Sequence, residues 1–299
     1  MQNIKSVEGR AKFGKYETWY RITGDAASAK PPVFMLHGGP GAAHNYLDRY
    51  KLLSRDGRAV IHYDQLGCGN STLLPDKGQD FWTPALFVDE LNNLIDHLKM
   101  RKAYHVVGQS WGGMLAAEFG ITRPAGLKSL TIANSPASME LWVKEANRLR
   151  GEMPGDVQDA LNRHENAGTT NDPEYLEATM RFYERHVCRI VPFPPEVKES
   201  FDQIARNPTV YNTMNGPNEF FVIGTLKTWS VIDKVNRINV PALLISGRYD
   251  EATPAVVQPF KDNIKGARWE IFENSSHLPH VEETEKCMKV VSAFLAAND

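Results

Sequence analysis

Residues Gly108–Gly112 read GQSWG, a serine with a glycine two positions before it and another two positions after it. The apolar, β-branched run Tyr104–Val107 precedes this motif, and the alanine-rich run Met114–Gly120 follows it. The sequence therefore predicts a strand, a tight turn and a helix, which is the context of a nucleophile elbow. In such a turn the glycines let strand and helix pass close together, and the serine hydroxyl is exposed on a strained backbone.

A serine hydroxyl becomes a useful nucleophile only when a base takes its proton and an acid orients that base. Asp250 and His277 follow Ser110 in the chain, and each comes a few residues after an apolar run. The order serine, acid, histidine is that of α/β-hydrolases, in which each of the three lies at the C-terminal end of a strand. We expect Ser110, Asp250 and His277 to form a catalytic triad.

Other titratable residues are weaker candidates for these roles. His37 and His105 lie in or beside predicted strands, which favours structural roles, and His280 is a second choice for the base. Glu251 adjoins the predicted acid in the sequence. Asp64 precedes the nucleophile in the chain, where the acid of this fold does not usually occur.

A second glycine-rich loop, His37–Gly41, follows the apolar run Val33–Leu36. Backbone N–H groups in such a loop can approach a ligand closely. In α/β-hydrolases one N–H of the oxyanion hole belongs to the residue after the nucleophile, and another comes from a loop of this kind. We therefore expect the N–H of Trp111 and that of Gly38 or Gly39 to bind the oxyanion.

The order of apolar and amphipathic runs predicts a mostly parallel sheet with helices packed against it. Residues 7–22 alternate as in an antiparallel hairpin, and residues 87–100 have the apolar spacing of a helix. Further strands are predicted at residues 33–36, 59–63, 104–107, 127–132, 241–246 and 268–272, and a closing helix at residues 282–296. Strands joined by crossover helices pair in parallel, so the predicted fold is that of an α/β-hydrolase.

Residues 137–230 interrupt this alternation of strands and helices. They contain amphipathic helical stretches, such as residues 141–150 and 175–187, which are broken by proline-containing turns. No run typical of a buried strand occurs among them. We therefore predict a helical cap at residues 137–230, inserted into a core made of residues 1–136 and 231–299.

Composition excludes several classes of protein. The 299 residues are 42% hydrophobic and carry a formal net charge of −2, which gives no electrostatic reason to expect nucleic acid or a membrane surface as partner. No apolar run is long enough to span a bilayer, and the polar stretch Met1–Arg10 lacks the character of a signal peptide. Three widely spaced cysteines, Cys68, Cys188 and Cys287, argue against disulfides and a cysteine metal site. We expect a cytoplasmic protein that needs no metal or organic cofactor.

Three motifs together resemble those of the proline iminopeptidase (prolyl aminopeptidase) family of α/β-hydrolases. They are HGGPG at His37–Gly41, DQxGxGxS at Asp64–Ser71 and GxSWGG at Gly108–Gly113. The resemblance spans most of the chain. It implies a serine aminopeptidase with a helical cap that acts on a free N-terminal residue.

The predicted cap contains a further motif, MNGPNEFF, at Met214–Phe221. This segment resembles the cap of the tricorn-interacting aminopeptidase, a relative of broader specificity in which a glutamate holds the α-ammonium of the substrate. The resemblance implies that Glu219 and Glu251 bind the substrate amine here. A buried ammonium does need carboxylate partners to offset the loss of its hydration.

The sequence therefore predicts a serine aminopeptidase that releases an N-terminal residue from short peptides or amides through an acyl-enzyme. Strict prolyl enzymes commonly have arginines where this chain has Leu66 and Asn70, and glycine where it has Gln109. The residue released is accordingly expected to be proline or another, apolar one. An L-amino-acid amidase and an esterase or lactonase of the same fold are the alternatives, and a non-catalytic ligand-binding protein is disfavoured because no triad member is missing.

Overall fold

The structure, a computed structural model, describes residues 5–299. An eight-stranded sheet runs through it in the order β1-β2-β4-β3-β5-β6-β7-β8. The strands are β1 (Ser6–Phe13), β2 (Tyr16–Thr23), β3 (Val33–Leu36), β4 (Val60–Tyr63), β5 (Tyr104–Gln109), β6 (Leu127–Ala133), β7 (Ala242–Gly247) and β8 (Arg268–Phe272). Strand β2 pairs antiparallel with β1 and β4, and the remaining neighbours pair in parallel. The hairpin and the parallel sheet predicted from the sequence are both confirmed.

Helices cover both faces of the sheet. The α-helices are α1 (Pro84–His97), α2 (Trp111–Ile121), α3 (Met139–Gly151), α4 (Gly155–Ala167), α5 (Pro173–His186), α6 (Pro195–Arg206), α7 (Thr209–Met214), α8 (Pro254–Asn263), α9 (Pro279–Glu282) and α10 (Thr284–Ala296). Shorter-pitch 3₁₀ helices occupy His44–Asp56, Thr225–Thr228 and Val235–Arg237. Helix α1 begins where the Thr83 side chain accepts the Leu86 N–H, with a proline in its first turn.

Strand β3 shows how the sequence places the core on both sides of the sheet. Its four residues are all buried. Phe34 and Leu36 point into a hydrophobic cluster with α1 and α2, whereas Val33 and Met35 point into another with the 3₁₀ helix His44–Asp56 and α10. Side chains alternate along a strand, so an uninterrupted apolar run is what a strand covered on both faces requires.

Helices α3 to α7 lie between β6 and β7, and α3, α4 and α5 form a hydrophobic cluster of their own. Ser138 and Ser230 form an isolated antiparallel bridge, so the chain enters and leaves this helical segment at one place. We therefore propose that residues 137–230 form a single cap on a core of residues 1–136 and 231–299, of which residues 1–4 lie outside the described part. Among residues 5–299, no helix combines the length and apolar character needed to cross a bilayer, and the cytoplasmic location stays a prediction.

Candidate active site

Ser110 lies in the turn between β5 and α2, with a φ of 58° and a ψ of −127°. Residues other than glycine rarely adopt a positive φ, so the backbone at Ser110 is strained, as in a nucleophile elbow. A Cβ at Gly108 would lie 2.0 Å from the carbonyl oxygen of Gly112, and one at Gly112 would lie 2.0 Å from that of Leu36. Glycine is therefore required at both positions for β5, α2 and β3 to approach this closely.

Asp250 and His277 form a hydrogen-bonded pair beside this turn. The Nδ1 atom of His277 is 2.7 Å from Oδ1 of Asp250, and both residues are buried. The Ala252 N–H also donates to Oδ1 at 2.8 Å, and the Asn134 side chain donates to Oδ2 at 2.6 Å. These contacts hold the carboxylate so that it orients the imidazole through one ring nitrogen and leaves Nε2 free to exchange a proton.

Ser110 and His277 line the same open cavity of about 480 Å³. Among residues 5–299, no hydrogen bond joins the Ser110 hydroxyl to the His277 ring. Catalytic hydrogen bonds are often long in a substrate-free enzyme and shorten only when the substrate is bound. The arrangement can therefore perform nucleophilic acyl transfer once a carbonyl group occupies the cavity.

Backbone N–H groups from two loops are the candidates for binding the oxygen of the reacting carbonyl. Gly39 lines the cavity beside Ser110, and Trp111 is the first residue of α2, where the N–H has no partner within the helix. The Gly38 N–H is already used, because it donates to the Tyr46 hydroxyl at 2.6 Å. Of the two candidates in the glycine-rich loop, Gly39 is therefore the one whose N–H has no partner among residues 5–299.

Two glutamates also line this cavity, Glu219 from the segment after α7 and Glu251 from the loop after β7. Glu251 is fully buried, and neither of its carboxyl oxygens has a hydrogen-bond partner among residues 5–299. Its Oε1 lies 4.0 Å from Nε2 of His277. Glu219 is partly buried and accepts a hydrogen bond of 2.6 Å from the Tyr211 hydroxyl.

The environment of both glutamates favours their neutral form. Burial raises the pKa of Glu251 well above its ordinary value, and the nearby charges of Glu219 and Asp250 raise it further. Burial also raises the pKa of Glu219, against the opposing effect of the hydrogen bond from Tyr211. The cavity thus contains acidic groups that lack a cation, which makes it a site where a positively charged group would be stabilised.

Hydrogen bonds from the surrounding helices fix the backbone of Glu219. The Trp142 indole N–H donates to the Glu219 carbonyl oxygen at 2.6 Å, and the Glu219 N–H donates to the Tyr183 hydroxyl at 3.3 Å. The Asn218 side-chain oxygen accepts the N–H groups of Phe220 and Phe221 at 3.1 and 2.8 Å. This turn therefore presents the Glu219 carboxyl group to the cavity from a rigid support.

The remaining walls of the cavity are mostly apolar. They include Ala42, Val187, Val197, Phe201, Ile204 and Leu278. A second, smaller pocket of about 260 Å³ lies on another side of Ser110 and shares Gly39 and Glu219 with the first. Its walls include Met114, Met139, Trp142 and Leu226. In the free protein this second pocket admits little more than a water molecule.

Comparison with known proteins agrees with this geometry. Residues 31–284 match the family model described as the alpha/beta hydrolase fold. Over 299 aligned residues, the chain is 40% identical to the proline iminopeptidase of Lactobacillus helveticus, an alignment that covers 99% of this chain and 100% of the relative. The chain belongs to the proline iminopeptidase family of α/β-hydrolases.

Solved structures show that the similarity extends to the three-dimensional fold. The crystal structure of the proline iminopeptidase of Mycobacterium smegmatis is 50% identical with a TM-score of 0.91, and the match covers 98% of each chain. The crystal structure of VinJ is 53% identical with a TM-score of 0.97, and the match covers 98% of this chain and 99% of that one. The α/β-hydrolase fold predicted from the sequence is therefore confirmed.

The other histidines and Asp64 have structural environments in this member of the family. Burial lowers the pKa of His37 to about 4 and that of His280 to about 3. His37 accepts the Gln65 N–H at 2.9 Å, and His280 donates to the Tyr46 carbonyl oxygen at 2.9 Å. Asp64 accepts the N–H groups of two residues in neighbouring loops.

His105 is likewise buried, and burial lowers its pKa to about 4. It contacts Ser129 at 2.8 Å and Asp299 at 3.1 Å, far along β5 from the nucleophile. The sequence interpretation of this residue as structural agrees with these contacts.

Three residues of the site were not assigned a role from the sequence. Asn134 holds the Asp250 carboxylate, and Tyr46 and Gln109 hydrogen-bond to each other at 2.5 Å. Asn134 stands directly after the buried strand β6 and has a positive φ of 52°, so a polar residue at that strand end was the available signal. Tyr46 lies in a helix far from Gln109 in the chain, and no sequence motif connects the two.

Replacing Glu251 by glutamine tests the electrostatic account of the cavity. The unfolded carboxyl ionises near its ordinary pKa of 4.5, whereas the folded protein keeps it protonated to higher pH. Ionisation therefore favours the unfolded state more and more as the pH rises between these two pKa values. We expect Glu251→Gln to raise the urea midpoint of unfolding, and to raise it more at about pH 8 than at about pH 5.

The matched control for this measurement is Glu273→Gln. Glu273 is exposed, and its hydrogen bond with Arg248 lowers the pKa of its carboxyl group. This change should give no stabilisation that grows with pH. An equal shift at both pH values for Glu251→Gln would contradict the claim that an unpaired carboxylate is buried beside His277.

Proposed function

We propose that this protein is a serine aminopeptidase that releases a free N-terminal residue from short peptides or amides through an acyl-enzyme. The observation that carries the proposal is the pair Glu219 and Glu251, whose carboxyl groups share a cavity with Ser110. A substrate with a free N-terminus brings an ammonium group, the charge that such a pair stabilises. Membership of a family whose relatives include proline iminopeptidases supports the same conclusion.

The first chemical step is attack on the carbonyl carbon of the N-terminal residue. Ser110 Oγ forms the new bond while Nε2 of His277 takes the hydroxyl proton. Asp250, hydrogen-bonded to Nδ1 of His277, keeps the ring in the correct tautomer and stabilises the imidazolium. The ammonium lies between the glutamates, so that the carbonyl carbon is held beside the serine hydroxyl.

The charge that develops on the carbonyl oxygen is stabilised by the N–H groups of Gly39 and Trp111. Each such donor contributes about 3 kcal/mol to the stability of the transition state, because it points at charge that forms only there. His277 then returns its proton to the leaving amine, which departs as the carbon–nitrogen bond breaks. A water molecule, activated by His277, hydrolyses the acyl-enzyme and frees Ser110.

The residue released is proline or another apolar residue. Apart from the glutamates, which the ammonium occupies, the pockets beside Ser110 have mostly apolar walls, so burying a further charged side chain there would be unfavourable. Leu66 and Asn70, which differ from the strict prolyl pattern, line neither pocket. Neither residue therefore contacts a substrate that occupies these two pockets.

Two other activities share parts of this mechanism. The substrate of an L-amino-acid amidase has the same amino-acyl group and differs only in its leaving group, which is ammonia instead of the amine of a peptide. An esterase or lactonase needs the triad and the oxyanion donors, but its substrate brings no charge for Glu219 and Glu251. The unpaired carboxyl groups favour the first of these over the second.

Ser110→Ala tests the nucleophile. The variant should fold like the parent and lose at least about three powers of ten in kcat, because the triad members act as a unit. A fluorophosphonate probe should label the parent and leave the variant unlabelled. Ser200 lines the same cavity, and Ser200→Ala should still be labelled. Labelling that persists in Ser110→Ala would assign the nucleophile to another residue.

Glu219→Gln tests how the amine is recognised. Glutamine keeps the shape and can still accept the Tyr211 hydrogen bond, but it has no charge to offer an ammonium. Removing one partner of a buried, charge-assisted contact costs about 2–5 kcal/mol, so kcat/KM on aminoacyl naphthylamides should fall by roughly 30-fold to several thousand-fold. Hydrolysis of an activated ester without an amine should change little, because the triad is untouched.

Glu145 provides a matched control, since it is a partly buried glutamate of α3 that lies outside both pockets. Glu145→Gln should leave kcat/KM on both substrates near the parent values. Equal losses on the amine-bearing and amine-free substrates in Glu219→Gln would mean that Glu219 only shapes the cap. Esterase or lactonase activity would then be better supported than aminopeptidase activity.

A further inference from the structure

A continuous series of hydrogen bonds links the loops that surround Ser110. The Gly38 N–H donates to the Tyr46 hydroxyl at 2.6 Å, and that hydroxyl donates to the side-chain oxygen of Gln109 at 2.5 Å. The side-chain nitrogen of Gln109 then donates to the His277 carbonyl oxygen at 2.9 Å. The series therefore begins in the glycine-rich loop after β3, passes beside the nucleophile and ends in the loop after β8.

All four residues of this series are buried. Both polar ends of the Gln109 amide and both functions of the Tyr46 hydroxyl are used, so the polar groups satisfy one another. Burial raises the pKa of Tyr46, which keeps its hydroxyl protonated and able to donate. A fully satisfied polar network in a low-dielectric interior is rigid, because breaking one bond leaves two buried groups without partners.

The residues at the ends of this series adjoin the reacting groups. Gly38 precedes Gly39, whose N–H is the oxyanion donor of the proposed mechanism, and Gln109 precedes Ser110. His277 is bonded through its own backbone, so the position of its ring depends on this contact as well as on Asp250. The distances from the serine to the oxyanion donor and to the base are therefore set partly by one network.

We propose that Tyr46 and Gln109 are positioning residues that hold the oxyanion loop and the histidine loop at fixed distances from Ser110. This proposal rests on the proposed function only in assigning Ser110, His277 and Gly39 their roles. It does not depend on the carboxylate pair, since it concerns steps that every acyl substrate shares. We expect the two side chains to affect the rate of acyl transfer and not the recognition of the amine.

The experiment compares Tyr46→Phe and Gln109→Met with the parent on an aminoacyl naphthylamide and on a simple activated ester. Tyr46→Phe removes the bridging hydroxyl. Gln109→Met removes the carbonyl oxygen and the NH₂ group of the side-chain amide while keeping the length of the side chain. We expect kcat to fall by about 10- to 100-fold on both substrates, as when reacting groups are displaced by a fraction of an ångström to one ångström. Tyr46 and Gln109 also line the cavity, but their polar groups are used within the series, so KM should change by less than about threefold.

The double variant Tyr46→Phe/Gln109→Met tests whether the two side chains act through one network. Its loss in kcat should be close to that of the larger single loss, because the series is already broken by either change. Losses that multiply would show two independent effects and overturn the proposal. Should Tyr46→Phe fail to fold, Gln109→Met alone still decides between a fall in kcat and none.

Tyr50→Phe is the matched control. Tyr50 belongs to the same 3₁₀ helix and is also buried, but among residues 5–299 its hydroxyl hydrogen-bonds only to Cys287 Sγ, at 3.9 Å. This change should leave kcat near the parent value on both substrates. A loss as large as that of Tyr46→Phe would mean that the packing of the helix, and not the hydrogen-bond series, is responsible.

A binding measurement separates positioning from general damage to the site. Pyrrolidine-2-boronic acid forms a tetrahedral adduct with a serine nucleophile, whereas L-proline binds without forming one. In Tyr46→Phe and Gln109→Met, the affinity for the boronic acid should fall by about the same factor as kcat, and that for L-proline should stay within about threefold. Equal losses for both ligands would overturn the proposal.

The outcome is distinguishable from a failure of the proposed function. If the parent hydrolyses the ester and not the naphthylamide, the aminopeptidase proposal fails, while the effect of Tyr46→Phe on ester hydrolysis still tests the positioning role. If both substrates are hydrolysed and neither kcat changes, the positioning role fails alone.

Discussion

The close contact of strand β5 with helix α2 is the constraint on which the rest of the site depends. A Cβ on Gly108 would clash with the carbonyl oxygen of Gly112, and Ser110 lies between these two residues at a positive φ. The carboxyl ends of the parallel strands meet at one edge of the sheet, so the loops after β3, β6, β7 and β8 all converge on this turn. Asn134, Asp250 and His277 are brought together by that convergence.

The second feature of the site is the electrostatic cost of two acidic groups in one cavity, which a positively charged ligand would reduce. Glu251 is buried without a hydrogen-bond partner for its carboxyl oxygens among the described residues, and Glu219 stands in the same cavity. Such an arrangement reduces the stability of the free enzyme, and natural active sites often retain an unfavourable feature of this kind. Folding is supported elsewhere, by the buried clusters on both faces of the sheet and by a third among helices α3, α4 and α5.

Much of the fold could be predicted from local patterns, because strands covered on both faces are continuously apolar. The triad could be predicted because its members follow the ends of strands in a fixed order along the chain. Several helices were not individually predicted, because α4 and α6 bury few residues, α7 and α9 are short, and α8 contains Pro259. The segment His44–Asp56 adopts 3₁₀ turns, whose period differs from the 3.6 residues used to recognise α-helices. The choice between Gly38 and Gly39 needed the contact with Tyr46, which depends on tertiary packing that no motif encodes.

The central claim is that the unpaired carboxyl groups make a free N-terminal amine a condition of efficient catalysis. Its most direct test is kcat/KM of the unmodified protein on one aminoacyl naphthylamide with a free amine and on the same compound N-acetylated. Acetylation removes the charge and leaves Glu219 and Glu251 without a cation, so we expect kcat/KM to fall by roughly 30-fold to several thousand-fold. Comparable kcat/KM values for the two compounds would contradict this account of the site.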